Sequence, residues 1–423
     1  MSSARRGRVS SPDRGQRGRR TEVAGLRILY LASQFPFPAD SGATIKSLSI
    51  IEYLRRLHEV RLVGLTSAPL TKDQEKWAAG LGVVRTVRHS RSRSALNLLR
   101  SYLARVPLGI ERTRSREMSA LVESEGSDFQ PDVVLADGWL VAQYVPEDIR
   151  GLKVLHEHNA EYELWERQAG LEGGPRRLFA KREAGRVKRY EAALVRRFDA
   201  TLAVSLDDRR SLGRIGGDLN RIKVLPNIPD TALLESPAPS FACTEPVILY
   251  FGTLSWQPNI EGLERYLSFA HKQVLKRVPE AVLLVAGKGA PPDLVRRISQ
   301  TSNSEFVGEV DDVEQLYKRA RVAIDSSRSG GGTRLKILNA LARGVPVVAS
   351  SEAARGLDIV QGEHLIVARN EHGMVDGIAS LLRDEERWRV LSENGRALIR
   401  AKYVPDTAFR TLDEVLARAQ KSS

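Results

Sequence analysis

An alternation of two patterns constrains this chain most. Short apolar, β-prone runs bounded by turn residues recur along it, separated by stretches with helical apolar spacing. LRILYLAS (26–33) leads into a Pro/Gly loop, QFPFPADSGATIKS, and then Leu48, Ile51, Leu54 and Leu57 recur at helical spacing before HEVRLVGLTS. Strand, loop, helix, strand is the opening of a parallel βαβ sheet. Further strand candidates are VVRTV (83–87), DVVLAD (132–137), LKVLHEH (152–158), ATLAVS (200–205) and RIKVLPN (221–227), with a long charged helix from Arg176 to Phe198.

The segment PDTALLESPAPSFACTEP (229–246) breaks both periodicities and reads as a linker. The alternation then restarts. Strands are predicted at VILYFGTL, AVLLVAGKG, SEFVGEV, RVAIDSS, VPVVAS and EHLIVA, and the chain is helical from Glu371 onward. The expected organisation is a tail over 1–24, one domain over 25–230, a linker over 231–245, a second domain over 246–402, and a closing helix over 403–423. At 423 residues two domains are the natural expectation. Ligands of such sheets bind beyond the carboxyl ends of the strands, so the cleft between the domains is the expected site.

Charge narrows the partners. The net charge is +13, and seven arginines against two acids in residues 1–24 give that Ser/Gly/Arg-rich, aperiodic segment +5; it is expected to be disordered. A basic body suits phosphorylated small molecules, anionic membranes or nucleic acid. No helix-turn-helix, zinc or RNA-recognition signature accompanies the arginines, which argues against specific nucleic-acid binding. One cysteine, Cys243, and no apolar run near the ~18–20 residues of a membrane span fit a soluble, cytoplasmic protein.

The chemistry-bearing stretch is SRSGGGTRLKILNALARGVPVVAS (327–350). Its glycines, at a strand-to-helix junction, let backbone N–H groups approach a ligand closely. The helix that follows adds unpaired donors and a partial positive charge, an anion site. Arg334 can grip a phosphate through two donors, and Lys336 adds a point charge three residues from Asn339. No Gly-Lys-Ser/Thr follows, so this is not a nucleoside triphosphatase loop. The competing reading is a flexible turn with two solvated cations. GKG (287–289) is expected to be no more than a tight turn. LHEHNAEYELWER (155–167) gathers His156, His158 and several acids after a strand, as proton handlers lining the cleft. A metal site there lacks a distant Cys or third His to complete it.

Taken together, PFPADSGATIKSLSIIEYLRRLHEVRLVGLTS, DVVLADGWLVAQYV, VLHEHNAEYELWERQ, RYEAALVRRFDATLAVSLDD, VLPNIPD, YFGTLSWQPNIEGLERYL, LLVAGKG and GGGTRLKILNALARGVPVVAS resemble the family 4 glycosyltransferases, from Leu26 to about Tyr403. The resemblance implies an α/β, GT-B fold: two Rossmann-like parallel-sheet domains facing across a cleft, the first for the acceptor and the second for a nucleotide diphosphate sugar, with a C-terminal helix crossing back. It implies retention of configuration without a metal or other cofactor. His158 matches the family's cleft histidine, which contacts the transferred sugar, and Gly42 the glycine under the donor diphosphate. Gly331, Gly332 and Thr333 match the loop cradling sugar and phosphates, and Asp137 and Glu161 fall on the acceptor side. Pro226 and Asn227 mark the hinge.

Two departures stand out. The family commonly has two glutamates eight positions apart; here those positions hold Gly331 and Asn339. Many relatives place an Arg and a Lys after the second domain's first strand, where this chain offers Thr253 and Asn259. Arg334 and Lys336 are then expected to hold the diphosphate instead, with Asn339 accepting from a ribose hydroxyl. Arginines alternating with leucines between Arg85 and Arg116 suggest a basic amphipathic helix able to dock a glycan- or lipid-linked acceptor's anionic membrane. The functional expectation is transfer of a sugar to a hydroxyl of a polysaccharide, glycolipid or metabolite. The alternatives are a catalytically silent nucleotide-sugar-binding or scaffolding relative and a GT-B enzyme of different chemistry, such as an epimerase.

Overall fold

The computed structural model describes residues 25–39, 41–90, 94–310, 312–328 and 334–420; the expected tail over 1–24 and the triplet Gly331, Gly332 and Thr333 lie outside them. The first domain is a parallel sheet of seven strands: β1 (Arg27–Ala32), β2 (Glu59–Thr66), β3 (Val84–Arg88), β4 (Val133–Asp137), β5 (Leu152–Glu157), β6 (Ala200–Ala203) and β7 (Ile222–Val224). Their order is β3-β2-β1-β4-β5-β6-β7. The second is a parallel sheet of β8 (Val247–Phe251), β9 (Val282–Ala286), β10 (Ser304–Gly308), β11 (Ala320–Asp325), β12 (Val347–Ser350) and β13 (Ile366–Ala368), in the order β10-β9-β8-β11-β12-β13. In both orders the chain starts in the middle, runs to one edge and returns to the other side. The reversal between β1 and β4, and again between β8 and β11, opens a crevice at the strands' carboxyl ends. Central strands buried on both faces, such as Ile28–Ala32 and Val133–Asp137, explain why these runs read as continuously apolar.

The segment between the sheets is not a bare linker. It carries a helical turn at Ala232–Glu235, and Leu233 is buried with Leu249, Ile337 and Leu341 of the second domain. At the other end, Phe409, Leu412, Val415 and Leu416 pack into the first domain's core with Tyr30, Ile50 and Leu54. Among the described residues, the basic stretch between Arg85 and Arg116 is helical at Ala95–Leu103 and Leu108–Arg112 and broken between them, because Arg105 takes a left-handed turn (φ 56°) ahead of Pro107.

Candidate active site

The first half of the site grows from the end of β4. Asp137, the strand's last residue, is buried and pairs in register with Ala32 of β1 and His156 of β5. His156 Nδ1 lies 2.7 Å and His158 Nε2 2.9 Å from the same oxygen, Oδ1. Ser47 donates to the other, Oδ2, from the helix Gly42–Leu54. That helix begins where it does because Ser41 and Thr44 cap its first turn reciprocally. Beneath lie the buried Tyr30 hydroxyl and Lys46, whose ammonium donates to the carbonyl of Pro226 at the hinge.

Burial alone would raise the Asp137 carboxyl, but His158 and His156 outweigh it and hold it well below the usual carboxylate range. Burial drives His156 down to about 4, so its neutral ring donates Nδ1–H to Asp137. For His158 the pull of Asp137 overcomes burial and raises its value. Lys46 is pushed down to about 7 by burial, against the attraction of Asp137. With Nε2 of His158 committed to Asp137, Nδ1 is the nitrogen left to meet a ligand.

Asp137 thus supplies the third group the sequence pattern lacked beside the two histidines, and the three offer ligand atoms within 4.8 Å of one another. Two ring nitrogens at hydrogen-bond distance from one carboxylate oxygen are arranged as donors to it, which is a charge-orienting network rather than a set of lone pairs converging on an ion. Glu161 sits on the other side of the loop. It opens the helix Glu161–Leu171, whose cap position is Ala160 and supplies no side-chain acceptor. The missing cap comes from other helices: Glu191 accepts from the N–H groups of Glu161 (2.8 Å) and Tyr162 (2.7 Å), and Asp208 from that of Ala160 (3.0 Å). Those carboxylates fasten the loop that carries His158.

The second half repeats the plan. Asp325 ends β11, is buried, and lies 3.1 Å from Lys336 Nζ. Lys336 also donates to Asn259 Oδ1 (3.0 Å) and stands over the Tyr250 ring. Asn259 Nδ2 donates to the Thr253 carbonyl (2.9 Å). Lys336 and Asn259, expected as donor contacts, are therefore struts: burial lowers the Lys336 value and its ammonium is spent on Asp325 and Asn259. Arg334 keeps its place at the N-cap of the helix Leu335–Arg343, which Gly344 (φ 88°) ends in a left-handed turn. Asn339 Oδ1 accepts from the backbone N–H of Asp230 (3.0 Å), so the oxygen expected to meet a ribose holds the interdomain segment.

Between the halves runs a cleft of about 640 Å³. Thr253, Gly287, Lys288, Glu309 and Asn339 line one wall, Glu52 and Arg56 the other. GKG is thus more than a turn. At Gly287 (φ 148°) a Cβ would stand 1.8 Å from the Gly252 carbonyl oxygen, so only glycine brings these two strand ends together as the cleft's floor. Gly42 faces the second domain, its missing Cβ only 3.7 Å from Leu335. Glu309, Lys288, Asp325 and Lys46 escaped the sequence reading. A strand-terminal aspartate, shared by DVVLAD and RVAIDSS, is the signal that was there to find.

The comparisons agree with this architecture. Residues 41–228 match the model "Glycosyl transferase 4-like domain" and residues 245–384 the model "Glycosyl transferases group 1". The chain belongs to this glycosyltransferase family and is of the GT-B type, a class that draws its sugar from nucleotide-sugar donors. A curated relative, "Uncharacterized 44.6 kDa protein in cps region" of Klebsiella pneumoniae, is 22% identical over 402 residues, covering 91% of this chain and 98% of its own. Among solved structures, Anabaena Alr3699/HepE in complex with UDP and glucose is 16% identical with a TM-score of 0.64, covering 93% of this chain and 100% of that one. Sucrose-phosphate synthase from Thermosynechococcus elongatus is 17% identical with a TM-score of 0.68, over 94% and 100%. No helix among the described residues is long and apolar enough to cross a membrane.

Proposed function

We propose that this chain transfers a sugar from a nucleoside diphosphate donor, held on the second domain, to an acceptor hydroxyl at the first domain, with retention and without a metal. The observation that carries the reading is one helix. Gly42–Leu54 faces the start of the donor-side helix at Gly42, where an added Cβ would stand 3.7 Å from Leu335, and holds Asp137, the anchor of His158, through Ser47. Those contacts are five residues apart, about 7.5 Å of helix rise, so a phosphate at Arg334 and a sugar at His158 fit one donor.

In this reading Arg334 and the helix N-terminus bind the diphosphate over Gly42, next to the loop of Gly331, Gly332 and Thr333. Thr253 and Asn339 face the nucleoside, Asn339 through its NH2. The acceptor oxygen bonds to the anomeric carbon as the bond to the diphosphate oxygen breaks. The electron pair leaves with the diphosphate, which takes the hydroxyl proton. Attack from the face of the departing oxygen gives retention. His158, oriented by Asp137, meets the sugar at Nδ1 and offsets developing charge. In support, HepE was crystallised with UDP and glucose.

Calorimetry with UDP, GDP, ADP and dTDP tests the donor half. One nucleotide should bind, and Arg334→Ala should weaken it about tenfold or more; silence across the panel favours the non-catalytic relative. Turnover should survive EDTA. The helix Ala95–Leu103 exposes Leu96, Leu99 and Leu103 beside Arg100 and Arg105, which supports peripheral docking on an anionic membrane face; failure to co-sediment with anionic liposomes at low salt removes that element.

A further inference from the structure

A second cleft, apart from the donor cleft, opens at the carboxyl ends of β1, β2 and β3. Its volume is about 540 Å³, within the ~300–1,000 Å³ typical of small-molecule sites. Its walls differ in kind from those of the donor cleft. That one is lined by Glu52, Arg56, Asp230, Lys288 and Glu309. This one presents no Lys, Arg, Asp or Glu among the described residues; its polar groups are hydroxyls and amides such as Ser33, Gln34, Thr66, Ser67 and Thr71, and its one ionisable ring is His89.

The apolar part is built as a platform. Phe37 stacks on Trp77, ring centres 5.7 Å apart and planes within 2°, and Phe35 meets Trp77 edge-on at 5.6 Å. The loop is clamped from outside: Gln74 donates to the Phe37 carbonyl (2.7 Å) and accepts from the Thr71 N–H (2.9 Å). The Arg112 carbonyl accepts from His89 Nε2–H at 2.7 Å, which fixes the ring in the wall. The cleft also reaches the reacting centre. A Cβ on Gly138 would stand 3.7 Å from the His158 ring and 4.0 Å from the Ser33 hydroxyl, so Ser33 of this wall and His158 flank the same glycine.

We infer that this cleft takes the non-reducing end of an uncharged glycan, with a sugar ring against Phe37 and its hydroxyls on the neighbouring hydroxyl and amide groups. A sugar offers an apolar C–H face to an aromatic ring and a rim of hydroxyls to neutral donors and acceptors. A phosphate placed here would give up hydration, and among the described residues no Lys or Arg lines the wall to replace it. The inference rests on the transfer reading above and narrows its acceptor to a neutral saccharide terminus.

The test separates the two. Saturation-transfer NMR on the full-length protein, using neutral p-nitrophenyl hexopyranosides and the matching hexoside 6-phosphates and counting only the signal that Phe37→Ala removes, reads this cleft, since Phe37 lines it and not the donor cleft; nucleoside diphosphate binding and release read the transfer reading. Neutral glycosides should bind, the phosphates about tenfold or more weakly. Phe37→Ala should cost about tenfold in glycoside affinity, with Phe37→Tyr restoring it. Ser67→Arg, at an exposed rim position that tolerates a long side chain, should shift the preference toward the hexose phosphates. Equal or tighter binding of phosphates by the unaltered protein, or no neutral glycoside bound at all, overturns the inference. Loss of nucleotide binding alone sinks the transfer reading and leaves this one standing.

Discussion

Asp137 and Asp325 occupy matching places in the two domains. Each ends the strand beside its sheet's first strand, and each lies under a tyrosine of that strand, Tyr30 in β1 and Tyr250 in β8, whose hydroxyl is raised well above its ordinary value by burial and by the aspartate. Each is held down by cations against the cost of burial. What differs is the cation. Asp137 is answered by His158, which can release its proton as pH rises, and by the neutral ring of His156; Asp325 is answered by Lys336 and Arg334. One strand-end design thus serves an adjustable charge beside the proposed acceptor and a fixed one beneath the proposed phosphate site.

Removing both aspartates is the sharpest way to break that comparison. Asp325→Asn should cost about 3–5 kcal/mol in urea unfolding, since it strands a buried lysine. Asp137→Asn should cost clearly less, because His158 can neutralise itself. Equal losses would mean the two clusters are not different in kind. In turnover the order reverses: Asp137→Asn should lower kcat by about 10–100-fold by freeing the His158 ring.

The pH dependence follows from the directions of the shifts. His158 is raised above 6.5, so its pairing stabilises fully below pH 6.5 and the contribution fades as pH climbs through its folded value. Asp137 is depressed below 3.8, so its share is present above that pH and is lost as pH falls through the folded value. The melting temperature of His158→Gln should therefore fall furthest below the wild type between about pH 4 and 6.5, converging at alkaline pH.

Glu157 gives a smaller effect with the same pH slope as His158, although here the charged form is the one that burial disfavours. Burial, with Glu191 and Glu161 nearby, raises it well above 4.5, and burial lifts its neighbour Glu191 to about 8. The folded chain keeps protons that the unfolded chain releases above about 4.5, so stability falls as pH rises from there to the folded values. Glu157→Gln should flatten that decline, read as a smaller drop in melting temperature between pH 5 and 8. The least effect is expected at the domain contact where Arg355 reaches Glu163 (3.0 Å) and Asp207 (3.7 Å). These groups are partly solvated, so Arg355→Ala should cost about 0.5–1 kcal/mol or less and show chiefly as a larger radius of gyration in solution scattering.

Much of the fold was legible because parallel strands buried on both faces must be short apolar runs, and the crossings between them must be helices. The candidate site was drawn from residue types that announce chemistry, as with His158 and Arg334. It was not legible where an interaction joins distant segments. Lys336 reads as a free cation next to a glycine loop, yet it is spent on Asp325 and Asn259, and Asn339 reads as a ribose ligand while its oxygen holds Asp230. The helix carrying Glu161 has no cap of its own, and nothing local says that Glu191 and Asp208 supply one.

The sequence by itself determined the two sheets and offered His158 and Arg334 as candidates for proton and phosphate chemistry, because periodicity and residue chemistry are local properties. Which cations are paired, which aspartate has a partner that adjusts with pH, and that among the described residues one cleft carries Lys, Arg, Asp and Glu while the other carries none, were decided only by the tertiary structure. Burial and the distance between side chains far apart in the chain set charge and access, and neither exists until the strands are side by side.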